Sequence, residues 1–300
     1  MVSDQQKEGS GTALEEAETG RNKKTFKRRV IHFNRGENDK AEQLLHVALR
    51  SAQELNNIKA ERYIVDLLAN NAYDMGDFHK AEKLFKDLIS QLLSEGLSAD
   101  DNAIIHMSAK LANLYGLVHQ DEKANEGFKF CIEQLKQKID KGANDHDTLA
   151  LYGLSLHWFG EYKFTRELYA EALALFEKSH QIAIKIHGPD HSQCLLLLNN
   201  MAATCNSLGK FDSAIEHLNE AIKQASSHPD ENRDDLPCYY INLANVYLQQ
   251  IYLDHANKEL LLSNARKFCE TGLLLAKKSK SSDALREAET CKAAIDKVKI

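Results

Sequence analysis

LLANNAYDMGDFHKAEKLFKDLI, residues 67–89, reads as two amphipathic helices joined by a tight turn. The first carries a large residue followed by a small one, Leu68 and Ala69. Gly76 marks the turn, and Phe78, Ala81 and Phe85 share one face of the second. Two antiparallel helices pack with close axes where one side contributes little volume, so alanine and glycine act as sockets while large residues fill the space towards a neighbouring pair. The same order recurs along the chain. Leu111, Ala112 and Tyr115 precede Ala124, Phe128 and Cys131; Met201 and Ala202 precede Gly209, Phe211, Ala214, Leu218 and Ala221. Phe159, Gly160, Tyr169, Ala172 and Phe176 form a looser copy, and Leu243, Ala244 and Tyr247 open a last one. The large anchors at 68, 111, 159, 201 and 243 lie 43, 48, 42 and 42 residues apart.

A period of that length marks stacked helix pairs, each burying a face that its neighbour leaves open. The order of large and small positions resembles the tetratricopeptide repeat, and the resemblance implies an all-α, right-handed superhelical solenoid of helix-turn-helix units. The spacing exceeds the roughly 34 residues of that repeat, which predicts longer helices or loops, and Pro189, Pro229 and Pro237 all fall between units. The expected organisation is an N-terminal segment over 1–36, basic from 21, then an array over 37–300 with about five repeats near 60–95, 102–139, 147–187, 191–226 and 235–279. Ala41, Leu45 and Ala48 predict a helix capping the start, and 283–299 a helix capping the end. In the last unit either Ala256 and Leu260 or Ala265 and Cys269 serve the second helix; the latter pair is favoured, with 251–263 as an insertion.

Composition excludes several function classes. A formal charge of −6 with both signs interspersed lacks the basic stripe that a phosphate backbone requires, so no nucleic-acid role is expected. No apolar run approaches the roughly 18–20 residues that span a bilayer. The first twenty residues carry Asp4, Glu8, Glu15, Glu16 and Glu18 against Lys7, unlike an ordinary basic import presequence. The basic stretch that follows, RNKKTFKRRVIHFNR over 21–35, is read either as a solvated lead-in to the first helix or as a targeting remnant or peripheral membrane contact. The six cysteines form no Cys-x-x-Cys pair and read as reduced packing residues.

No phosphate-cradling glycine loop, His-Glu-x-x-His helix, nucleophile elbow or dinucleotide fingerprint occurs, so no enzyme, cofactor or small-molecule substrate is expected. His187 and His191 bracket Gly188-Pro189-Asp190, and the proline turns what would be a ligand spacing on a helix into a turn with a capping aspartate. Ser207-Leu208-Gly209-Lys210 matches Ser-x-x-Lys but sits at the turn of a repeat. The polar set of interest lies on the first helix of each unit, two before and two or five after the anchor. It gathers Asp66, Asn70 and Tyr73; Asn113; His157 and Glu161; Asn199 and Asn206; and Asn245. Asparagine amides both donate and accept, which suits holding the backbone of an extended partner peptide.

Beyond the generic repeat, AEQLLHVALRSAQ (41–53), IVDLLANNAYDMGDFHKAEKLFKDLISQLL (64–93), DNAIIHMSAKLANLY (101–115) and GFKFCIEQLKQKI (127–139) resemble one mitochondrial family of tetratricopeptide proteins. The second half, from Trp158 to Lys278, follows the same order of units with weaker identity. That resemblance implies a non-enzymatic factor of the mitochondrial inner membrane, associated with respiratory complex III (cytochrome bc1), where it aids clearance of processed Rieske iron–sulfur subunit fragments. The acidic start, the lack of an evident membrane helix and the insertion near 251–263 depart from it. A rival resemblance is carried by HGPDHSQCLLLLNNMAATCNSLGKFDSAIEHLNEAI (187–222), which is similar to the repeats of kinesin light chains and implies a cytoplasmic adaptor for cargo peptides.

Overall fold

A computed structural model describes residues 38–227, 235–251 and 257–298. Twelve α-helices and no strand occur among them: α1 Asn38–Glu54, α2 Ile58–Asp74, α3 Phe78–Ser94, α4 Asn102–Leu117, α5 Asp121–Asp140, α6 His146–Thr165, α7 Tyr169–His187, α8 Ser192–Ser207, α9 Phe211–Ser227, α10 Leu236–Gln250, α11 Lys258–Ser279 and α12 Ser282–Asp296. The chain divides into two compact units, Met1–Gly127 and Phe128–Ile300, and the division falls inside α5. The basic stretch 21–35, Pro229 and Ala256 lie outside the described residues.

Short side chains start the helices. Asn57, Asp77, Asp101 and Asp145 accept from the backbone N–H groups of Ala60, Lys80, Ala103 and Thr148, each satisfying one donor that the first turn leaves open. The turns inside the pairs share one geometry. The central residue is left-handed: Gly76 at φ 76°, His119 at 59°, Glu167 at 60° and Gly209 at 72°. The N–H after it reaches back five residues, as in Gln120 to the Tyr115 carbonyl at 2.8 Å and Lys210 to the Cys205 carbonyl at 2.8 Å. This is the six-to-one closure of a Schellman motif, which needs the left-handed residue and favours glycine there. His119 and Glu167 stand where the turn glycine of the pattern is missing from two units, and carry the strain that Gly76 and Gly209 avoid.

In the first unit, α1 packs on α2, α2 on α3 and α3 on α4. Ala69, Ala81, Phe85, Ala112 and Ala124 are essentially inaccessible, as the sockets and large residues of the pattern require. The helices come closest where two small residues meet: a Cβ on Gly127 would lie 2.8 Å from the Ala112 Cβ.

In the second unit each helix from α6 to α12 packs on the next, and α12 also touches α10. Phe128 stacks on Phe159 with ring centroids 5.1 Å apart. A Cβ on Gly160 would meet the Phe176 ring at 2.7 Å, so the large-then-small pair of the looser copy has the same cause as in the others. Ala265 and Cys269 are buried on α11. That helix begins at Lys258, however, and Leu261 and Leu262 are buried with them, so residues 258–263 are its first turns rather than part of an insertion. Leu261, Ala265 and Cys269 stand four residues apart on one face, a periodicity that the expected insertion overlooked. Five of the six cysteines are buried, Cys238 partly, and none of the six is in a disulfide.

Candidate partner-binding surface

Cross-repeat hydrogen bonds tie the first helices of successive pairs together. In the first unit Asn70 of α2 is engaged at both ends of its amide. It donates to the Asp66 carbonyl at 2.7 Å and carboxylate at 3.1 Å, and accepts from Lys110 of α4 at 2.7 Å. Three residues along α2, Tyr73 accepts from Asn113 of α4 at 3.0 Å. Burial holds the Lys110 ammonium below its usual range, against the pull of Asp66 and Asp74, and its charge sits 5.7 Å from the Phe85 ring centroid. His106, one turn earlier on α4, is pushed down by burial and then by Lys110.

The second unit repeats the device. His157 of α6 is buried, shares a hydrogen bond with Asn200 of α8 at 3.0 Å, and faces the exposed Glu161 carboxylate at 3.3 Å. Asn199 of α8 accepts from Asn242 of α10 at 2.8 Å. The partners stand 40 to 43 residues apart, one repeat. Adding one repeat length to each expected site residue would have found Lys110, Asn200 and Asn242. A single-helix reading of each face misses them.

Asn199 and Asn245 meet in an open cleft of about 600 Å³ between α8, α10 and α12. Leu196, Asn242, Arg286, Glu287 and Thr290 also line it, so the terminal helix contributes a wall. Sequence reasoning missed that wall because it treated 283–299 as a cap. Asn245 makes no side-chain hydrogen bond among the described residues, whereas Asn206 lies apart from the cleft with a buried Oδ1 that has no partner. The arrangement can present amide donors and acceptors to a backbone at Asn199 and Asn245, while Asn70 is already committed within the fold.

At the turn between α7 and α8, His187 and His191 stack with centroids 4.3 Å apart and planes inclined by 18°, ring on ring rather than with nitrogens converging on one point. The helix is capped by His191, whose Nδ1 accepts from the Gln193 N–H at 3.2 Å, and not by Asp190. Asp190 stands one residue too early for the cap position of a helix that starts at Ser192.

Over 283 residues the chain is 34% identical to the tetratricopeptide repeat protein 19 homolog, mitochondrial, of Drosophila melanogaster, covering 94% of this chain and 74% of that protein. The chain belongs to the tetratricopeptide repeat protein 19 family. The human member of that family is 33% identical over 240 residues, and the chain spans 61% of its length. Residues 148–227 match the model of a tetratricopeptide repeat family. Among solved structures the fold is similar to BtubC from P. vanneervenii, with a TM-score of 0.62 at 16% identity over 78% of this chain and 91% of that one. A Rap protein complexed with competence and sporulation factor gives 0.60 at 13% identity over 92% and 76%. These structural likenesses establish the helical repeat fold. The relatives are named as mitochondrial proteins, and among the described residues no helix is long and apolar enough to cross a membrane.

Proposed function

We propose that this family member is a non-enzymatic scaffold of the mitochondrial inner membrane, an accessory factor of respiratory complex III that helps clear processed fragments of the Rieske iron–sulfur subunit. The observation that carries the reading is the 34% identity spread over 94% of the chain, which reaches well beyond the small and large positions that any such repeat demands. The surface fits the role in kind. Two adjacent first helices and the terminal helix leave a cleft whose floor offers amide groups to an extended chain, the form a proteolytic fragment takes.

Affinity purification from detergent-solubilised mitochondria tests this. Recovery of complex III subunits in the inner-membrane fraction, reduced several-fold by alanine at Asn199 and Asn245, is the expected result. Unchanged recovery with alanine at Asn199 and Asn245 together would remove the cleft from the account. A second reading rests on the 25% identity over 49% of the chain to the Arabidopsis thaliana protein kinesin light chain-related 2. In that case the protein is a cytoplasmic cargo-peptide adaptor, and fractionation finds it in the cytosol with motor proteins.

A further inference from the structure

In the second helices α3, α5, α7 and α9 a large apolar residue stands four positions after the socket alanine. Phe85 follows Ala81, Phe128 follows Ala124, Phe176 follows Ala172 and Leu218 follows Ala214, each with at most 2% of its surface exposed. In α11 the corresponding position after Ala265 is Cys269. The helix that covers it, α12, brings Cys291, one turn beyond Ala288, whose carbonyl accepts from the Cys269 thiol at 3.6 Å. Both cysteines belong to one buried cluster with Ala265, Ala288 and Ile295. Two sulfurs thus fill the place that one large side chain fills elsewhere. The pair joins α11 to α12, the last of the described helices. The buried face of α12 is Ala284, Ala288, Cys291 and Ile295, so little apolar area holds it to its neighbours.

We propose that Cys269 and Cys291 form a dithiol–disulfide couple, exchanged by low-molecular-weight disulfides, that locks the terminal helix onto the last repeat. With the helix closed the thiols are protected: burial pushes Cys291 up to about 12 and raises Cys269 as well. Exchange proceeds through local opening of α12, a sub-global event favoured by the small apolar face that holds the helix. The exposed Cys291 thiol gives its proton to water and its sulfur attacks a small disulfide such as oxidised glutathione. One thiolate leaves and a mixed disulfide remains on Cys291. On reclosure the Cys269 thiol loses its proton, attacks the Cys291 sulfur and expels the second thiolate. Two protein thiols and one small disulfide become one protein disulfide and two small thiols, with both electrons passing to the small disulfide. The 22-residue separation of the two cysteines closes a loop whose entropy the opened state then loses. Because Arg286, Glu287 and Thr290 of α12 line the cleft, the oxidised state fixes that wall.

The test equilibrates the full chain in glutathione buffers of graded oxidation, traps free thiols by alkylation, and reads intact mass, linked peptides and amide hydrogen exchange. Loss of two hydrogens, a Cys269–Cys291 linked peptide, and α12 amides that exchange at least about tenfold more slowly than in the reduced protein are expected. Cys269→Ala and Cys291→Ala should each remove the link, and Cys238→Ser should leave it. The proposal is overturned if both thiols stay free in buffers that already glutathionylate the half-buried Cys238. It is equally overturned if Cys291 links to Cys238 instead, or if the bond forms without slowing α12 exchange.

Discussion

Exchanging the two small residues that meet at the α4–α5 contact gives a test in which two physical effects oppose each other. Gly127 lies inside a helix, where alanine is favoured over glycine by about 1 kcal/mol from backbone entropy alone. The added methyl would stand 2.8 Å from the Ala112 Cβ and 3.5 Å from its Cα, atoms that no rotamer change can move. Relief therefore requires the backbones to part, an overpacking cost of about 1–3 kcal/mol. Gly127→Ala should come out between neutral and about 2 kcal/mol destabilising instead of stabilising. Ala112→Gly alone costs about 1 kcal/mol of propensity and somewhat more for a lost buried methyl. In the exchange Ala112→Gly/Gly127→Ala the propensity terms cancel and the obstructing methyl is gone. Its stability should return to within about 0.5 kcal/mol of the parent, with a coupling energy of about 2–4 kcal/mol. Urea unfolding of the three variants, with hydrogen exchange of the α4 amides as the local reading, measures the cycle. Simple additivity, or a Gly127→Ala protein about 1 kcal/mol more stable than the parent, would refute the close-axis explanation of the small residues.

Other outcomes follow from single groups. Glu167→Gly and His119→Gly should each raise stability by about 1 kcal/mol, because both residues hold left-handed backbone that costs a side chain about 1–2 kcal/mol, and Gly209→Ala should lower it; urea midpoints read all three. The Ser155 Oγ is fully buried without a partner whereas the Ser179 Oγ donates to the Gly153 carbonyl at 2.8 Å, so by the same measurement Ser155→Ala should be neutral or stabilising and Ser179→Ala should cost about 1 kcal/mol. Burial depresses His106, His180 and His217 below the ordinary 6.5, so the unfolded chain binds more protons just below that pH. Stability should therefore fall as pH drops through about 6.5 towards the folded values, and His180→Gln/His217→Gln should flatten that slope in urea titrations across the range.

The repeat fold was legible because its cause is volume. Ala81, Ala124, Ala172 and Ala214 recur where helices must approach, and Phe85, Phe128 and Phe176 recur where neighbouring helices leave space, so a pattern of large and small residues carries the packing directly. What resisted reading depends on positions one repeat away. Asn70 looks like an open amide until Lys110, 40 residues later, is placed against it. The cleft at Asn199 and Asn245 acquires its second wall from α12, which no local pattern distinguishes from an ordinary cap. The first turns of α11 were hidden because the repeat template offered two registers for one helix, and Leu261, which extends the Ala265 and Cys269 register by one turn, fell inside the expected insertion. The cap at His191 was missed because histidine, unlike aspartate, is not a usual cap residue.

Cross-linking mass spectrometry on intact mitochondria tests the central claim most directly. Links between this protein and subunits of complex III, with sites on its first helices and on α12, are the predicted result; a protein recovered at normal abundance with no link to complex III would contradict it.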